Sequence, residues 1–281
     1  MDKLVSTDWL AGELGAGDLH IVDASLFLPD HGRDAGAEFE SGHIPGAVFL
    51  DLAELRDTNC ELPMNLPAAE KFASRMQSLG IGDGSRIVIY DDSPLHSSAR
   101  AWWMFKEVFG AHNVAVLDGG LAKWKAESRE LESGRQQVRH RHFTPFEDRG
   151  AVRDLDQMKG LVGSGEIEIA DARDAGRFTG ATVDPRPNVA SGHMPGAKNL
   201  PYGELFNADG TWKQGDDLHG AFQAAGIDLS KPLVTSCNSG VTAAVLLFGA
   251  RLLGKEDAAL YDGSWSEWGG CADTEKATGA A

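Results

Sequence analysis

The chain has 281 residues, 42% hydrophobic and 24% charged, which suits about two globular domains and argues against a disordered or fibrous architecture. Its 26 Lys and Arg against 42 Asp and Glu give a net charge of −16, so nucleic acid and anionic membrane are poor partners. Three cysteines, Cys60, Cys237 and Cys271, are too few for a disulfide framework at this length and point to a reducing compartment.

In chain order, the N-terminus lacks a basic segment followed by an apolar core, so no secretory signal is expected. Residues 86–90 (Arg-Ile-Val-Ile-Tyr) read as a buried strand, 98–105 as a helix, and 115–117 as a strand before an Asp-Gly turn. The polar, periodless stretch 127–150 reads as a linker. Residues 231–236 give another strand, and 241–253 a helix closed by Gly254. The longest apolar stretch, within that helix, falls far short of the ~20 residues of a membrane span. The end, 272–281, is expected to fray. Alternating strands and helices predict an α/β fold, a parallel sheet with helices on both faces.

The chain repeats itself. Ile21-Val22-Asp23-Ala24 returns as Ile169-Ala170-Asp171-Ala172, and Ser41-Gly42-His43-Ile44-Pro45-Gly46-Ala47 as Ser191-Gly192-His193-Met194-Pro195-Gly196-Ala197. Leu117-Asp118-Gly119-Gly120 through Trp124 returns as Tyr261-Asp262-Gly263-Ser264 through Trp268. The offsets are 148, 150 and 144 residues, ordered and nearly constant, as in a duplicated domain. The expected division is 1–126, a linker over 127–150, and 151–281.

Residues common to both copies, such as His43, His193, Asp23, Asp171, Asp118 and Asp262, are expected to build the fold. Trp102 and Trp103 are expected in a helix core or at the domain interface. Chemistry should lie where the copies differ. Matching Val88 to Val234 sets Asp91 opposite Cys237. Cys237 then follows a strand's carboxyl end on the loop Asn238-Ser239-Gly240 leading to Val241-Thr242, an edge where open α/β sheets bind ligands. Converging backbone N–H groups and the helix N-terminus favour a thiolate there. The competing reading is a small buried cysteine. Cys60 and Cys271 lack this context.

The Cys237–Ala243 loop, the paired Gly-His-Ile/Met-Pro-Gly-Ala segments and Tyr-Asp-Gly-Ser-Trp-Ser-Glu-Trp resemble the tandem-domain rhodanese superfamily, and within it the 3-mercaptopyruvate sulfurtransferases. The resemblance spans essentially the whole chain. It implies two tandem rhodanese-like domains, the first catalytically inactive and the second carrying sulfur as a Cys237 persulfide. The implied reaction moves sulfur from 3-mercaptopyruvate to a thiophilic acceptor and releases pyruvate, with no metal or organic cofactor. Arg177 and Arg186 match the arginines that grip mercaptopyruvate in this family, and Ser239 matches the serine near its carbonyl. Asn238, Gly240, Val241 and Thr242 complete the implied substrate loop.

Two departures stand out: Asn238 replaces the usual glycine, and Met64 replaces a histidine assigned to a proton relay. Neutral Asn238 and Ser239 argue against thiosulfate, whose users carry basic residues there, although thiosulfate:cyanide sulfur transfer remains the nearest alternative. A non-catalytic persulfide carrier is more distant. A Cys-dependent phosphatase needs an Arg six residues past the Cys, where this chain has Ala243. Expected acceptors are cyanide, small thiols or thioredoxin, in the cytoplasm.

Overall fold

The run of β-branched residues at 86–90 forms a strand because it can be buried on both faces of a parallel sheet. It is β4 of a computed structural model that describes residues 1–280. The chain groups into two compact units, one of residues 1–57, 66–148 and 207–212, the other of 58–65, 149–206 and 213–281. The exchanged segments begin at Thr58 and Asn207, 149 residues apart and therefore at equivalent places in the repeat. Each unit holds a segment from the other half of the sequence, which the pattern of residues did not indicate.

The first unit contains β1 (Leu4–Val5), α1 (Thr7–Glu13), β2 (Leu19–Asp23), α2 (Ala35–Ser41) and β3 (Ala47–Phe49). It continues with α3 (Ala69–Ser78), β4 (Arg86–Tyr90), α4 (Ser98–Trp103), β5 (Asn113–Leu117) and α5 (Gly120–Ala126). The helix expected over 98–105 is α4 followed by a wider π turn, Met104–Val108. Residues 127–148 run along this unit; Asp83, for example, accepts the Thr144 N–H at 2.6 Å.

The second unit repeats the plan with β6 (Val152–Arg153), α6 (Leu155–Leu161), β7 (Glu168–Asp171), α7 (Ala175–Thr179) and β8 (Lys198–Asn199). Then come α8 (Gly215–Ala224), β9 (Leu233–Ser236), α9 (Val241–Leu252), β10 (Ala258–Tyr261) and α10 (Ser264–Trp268). The two five-stranded sheets are wholly parallel and share one order, β1-β5-β4-β2-β3 and β6-β10-β9-β7-β8. Both units are thus wholly parallel sheets with flanking helices, the α/β plan expected from the sequence. Among the described residues no helix is long and apolar enough to cross a membrane.

Helix α9 fixes the strand edge that matters. Every residue from Val241 to Arg251 is buried, as a helix apolar all round must be. Full burial of side chains such as Leu246, Leu247 and Phe248 stabilises the fold by roughly 1.5–3 kcal/mol each. Arg251 is tolerated there because it donates to the Ala258 carbonyl oxygen at 3.0 Å.

The repeated histidines are structural, as expected. His43 Nδ1 lies 2.7 Å from the Phe39 carbonyl oxygen and its ring stacks on Phe39, while His193 does the same with Phe178 at 2.8 Å. Each forms an antiparallel bridge with a distant segment, His43 with Glu132 and His193 with Ala277. Residues 272–280 therefore do not fray. Two backbone bonds of 2.9 Å join His193 and Ala277, Gly279 donates to the Thr179 carbonyl at 2.8 Å, and Thr274 is buried. Their polar sequence hides this pairing with a residue far upstream. Ala281 lies outside the described residues.

Candidate active site

Cys237 is the first residue past β9, a strand flanked on both sides by β7 and β10, and only 1% of it is exposed. Each of its polar atoms is engaged. Its N–H donates to Ser264 Oγ (3.2 Å), its carbonyl accepts the Trp265 N–H (3.0 Å), and its Sγ accepts the Gly240 N–H (3.1 Å). Gly240 has φ 79°, the left-handed turn that folds the loop back so that its N–H meets the sulfur three residues earlier. Val241 and Thr242 open α9, so their N–H groups have no carbonyl one turn back within the helix. The Gly240 N–H on the sulfur and the partial positive charge at the start of α9 make a setting that favours negative charge.

Ser264 supports this arrangement at a backbone cost. It holds φ 50°, a region unfavourable for a residue with a Cβ, and its Oγ donates to the Tyr261 carbonyl (2.8 Å) while accepting from Cys237. Gly120 occupies the matching place in the first copy, where a Cβ would come within 2.4 Å of the Asp91 carbonyl oxygen.

Beneath the loop lies a buried ion pair that the sequence did not suggest. Asp171 Oδ2 accepts from Arg173 Nη2 at 2.6 Å, and the guanidinium also donates to the Gly192 carbonyl (2.8 Å). Its carbon sits 4.6 Å from the ring of Trp265, a residue whose backbone N–H donates to the Cys237 carbonyl and whose ring Nε1 donates to the Ala190 carbonyl (2.8 Å). Both charges are almost fully buried, so removing one would leave the other uncompensated, at a cost of about 3–5 kcal/mol. Ser25 and Leu121 stand at the matching places in the first copy. Privacy to the second copy was the available signal.

Arg186 is brought to the site. It donates from Nη2 to Asn238 Oδ1 and from Nη1 to Ser266 Oγ, and grips Asp184 through Nε (2.9 Å) and Nη2 (2.8 Å). Burial works to raise the Asp184 carboxyl, but the Arg186 contacts and the more distant Arg177 charge hold it below its ordinary range. Arg177, in α7, makes a loose 3.6 Å ion pair with exposed Asp174. Ser239 is half-buried, and its hydroxyl has no hydrogen-bond partner among the described residues. Tyr202 is a further neighbour. Burial first, then the charges of Asp174 and Cys237, push its phenol up, so it stays a protonated hydroxyl at neutral pH. Its counterpart in the first copy is Leu52. Met64 lies in the exchanged segment Thr58–Asn65, which belongs to the Cys237 unit. All three cysteines are unpaired, and among the described residues no group of His, Cys, Asp and Glu is arranged to hold a metal ion.

Known proteins match this architecture along nearly its whole length. The human 3-mercaptopyruvate sulfurtransferase is 41% identical over 271 residues, covering 94% of this chain and 91% of the relative. The chicken (Gallus gallus) thiosulfate sulfurtransferase is 39% identical over 272 residues, covering 94% and 92%. The crystal structure of SseA from Escherichia coli, a 3-mercaptopyruvate sulfotransferase, superposes with a TM-score of 0.86 at 36% identity, over 94% of this chain and 99% of that one. Residues 6–127 and 154–271 each match the Rhodanese-like domain, and the chain belongs to that family as a tandem pair.

Proposed function

We propose that the protein is a sulfurtransferase that takes sulfur from 3-mercaptopyruvate onto Cys237 and passes it to a thiophilic acceptor. The observation that carries the proposal is the Gly240 N–H donating to Cys237 Sγ at the head of α9, a cradle suited to a thiolate or persulfide anion. The thiolate attacks the donor's sulfur, an S–S bond forms, and the C–S bond breaks with its electron pair passing to carbon. The resulting pyruvate enolate takes up the proton that the donor thiol carried, leaving pyruvate and a Cys237 persulfide anion. An acceptor nucleophile then attacks the outer sulfur and the Cys237 thiolate departs. The loop N–H groups stabilise charge at the sulfur in both displacements.

Arg177 and Arg186 supply positive charge for the donor's carboxylate, with Asn238, Ser239, Gly240, Val241 and Thr242 as the loop around it. Cyanide, small thiols or thioredoxin are the acceptors, and the compartment is the cytoplasm, in keeping with three unpaired cysteines. The catalytic copy is 151–281, the inactive copy 1–126, and 127–150 connects them. A second reading takes thiosulfate as the preferred donor, supported by the chicken relative. Steady-state rates with both donors decide between them, followed by mass measurement of the donor-treated protein. The expected result is a larger kcat/KM for mercaptopyruvate and one extra sulfur on Cys237. Sulfur found on Cys60 instead would defeat the assignment.

A further inference from the structure

Residues 138–148 lie as a strap on the first unit, with no helix or strand of their own. The strap crosses the turn between α3 and β4 and the turn before β5. Its backbone pairs with three groups there. The His142 carbonyl accepts the Asp83 N–H (3.1 Å), the Phe146 N–H donates to the Phe109 carbonyl (3.1 Å), and the Asp148 N–H to the Val108 carbonyl (2.8 Å). Phe143 is buried edge-on against Phe72. The approach is so close that a Cβ on Gly110 would come within 2.8 Å of the Phe146 Cβ.

The second unit repeats both turns. Ile227 donates to the Phe222 carbonyl (3.0 Å) as Ile81 does to Met76 (2.9 Å), and Gly254 has φ 80° where Gly110 has 74°. Leu229 therefore matches Asp83, while Leu252 and Leu253 match Val108 and Phe109. Here no strap follows: nothing lies within 4 Å of a Cβ on Gly254. Among the described residues, no group donates to the Leu252 or Leu253 carbonyl, and none accepts the Leu229 N–H. What remains is an open groove of about 730 Å³, with Ile227, Leu229 and Leu253 among its walls.

Charge points to the occupant. Helices α8 and α9 both end at this groove, and the carbonyl end of a helix attracts positive charge. Exposed Asp228 stands where Gly82 lies against the Arg141 side chain in the first unit. Lys255 on the rim is already paired with Asp257 (2.7 Å). The strap, which fits the matching groove, is itself basic over Arg139-His140-Arg141-His142.

We propose that the groove of the second unit docks a basic linear segment of a partner protein. The three backbone groups that the strap uses in the first unit hold it, and an apolar side chain lies along the groove. The groove opens before β9 and Cys237 follows the end of that strand, so a docked partner leaves the sulfur loop uncovered.

The test titrates the whole chain into a fluorescent synthetic peptide of residues 138–148, read by anisotropy. The expected Kd is about 300 μM or tighter, with slowed amide exchange at 226–230 and 252–255. N-methylating the peptide at the positions of Phe146 and Asp148 removes both donors to the helix carbonyls and should weaken binding about tenfold. Leu229→Asp supplies the carboxylate that takes the Thr144 N–H and hydroxyl in the first unit, and should tighten binding about threefold or more. Asp228→Lys should weaken it and reduce its salt dependence. Absence of binding, equal binding of the methylated peptide, or protection elsewhere in the chain would overturn the proposal. So would self-association of the chain that the peptide disperses, because the occupant would then be a second copy.

Discussion

The loops after β4 and β9 share one frame and end in opposite chemistry. In both, a backbone N–H from the far turn donates 3.0 Å to the loop's first carbonyl, Leu121 to Asp91 and Trp265 to Cys237. In the first copy, however, the Asp91 carboxylate takes the Ser93 N–H (3.0 Å) and the Ser98 N–H (2.7 Å) for itself. The donors that would greet an anion are already satisfied by a covalently attached one. The second copy gives a single donor to sulfur and opens its helix four residues after Cys237 instead of seven after Asp91. The first copy is therefore a filled cradle, more than a missing nucleophile.

The severest way to strain this comparison is to exchange the two residues. Cys237→Ser should lower turnover by at least about a thousandfold through loss of the nucleophile. Cys60→Ser and Cys271→Ser should each remain active. Adding Asp91→Cys to Cys237→Ser should not restore persulfide formation, because the longer loop does not fold back onto residue 91; intact-mass detection of sulfur on the grafted cysteine would contradict this. Next in size is the ion pair private to the second copy. Arg173→Ala should cost about 3–5 kcal/mol in unfolding experiments, against under ~1 kcal/mol for the matching Ser25→Ala. Equal losses would show that the pair carries no special weight.

Arg177→Ala should raise KM for mercaptopyruvate about tenfold or more, the scale of one hydrogen bond to a charged group. An unchanged KM would remove it from the donor site. A last test separates the equivalent aspartates by pH. Burial above all pushes Asp23 up to about 6, against opposing bonds from Ser25 and Tyr90. Its carboxyl binds a proton in the folded chain at pH values where the unfolded chain has released it. That contribution to stability is complete below about pH 4 and is lost as pH rises through about 6. Asp23→Asn should accordingly stabilise the chain by about 2–3 kcal/mol at pH 8 and by little below pH 4. Unfolding midpoints shifted equally at both pH values would refute the assignment.

Much of this was legible because duplication supplies its own control. The strand at 86–90 matched β4 residue for residue, and the Asp91–Cys237 opposition pointed to the loop in which the Gly240 N–H meets the Cys237 sulfur. Arg173 and Tyr202 were missed although both are private to the second copy. A charged residue two places past a strand reads as surface until a tertiary structure shows Asp171 and Trp265 around it. The pinned tail at 272–280 and the exchanged segments were illegible for a related reason. Short polar stretches carry no periodicity, and their partners are distant in sequence.

The exchange of Thr58–Asn65 for Asn207–Trp212 also sets an order of events during synthesis. A nascent chain cut off at residue 148 has every strand of the first sheet, yet Asp118 still lacks the Trp212 N–H that it accepts at 2.8 Å. Gly210 and Trp212, which line the cleft of about 320 Å³ beside Asp91, have not yet been translated. Meanwhile Thr58–Asn65 waits for a unit that does not yet exist. Neither half is a finished object when made alone, so cutting the gene at the repeat boundary would separate each fold from part of its own wall.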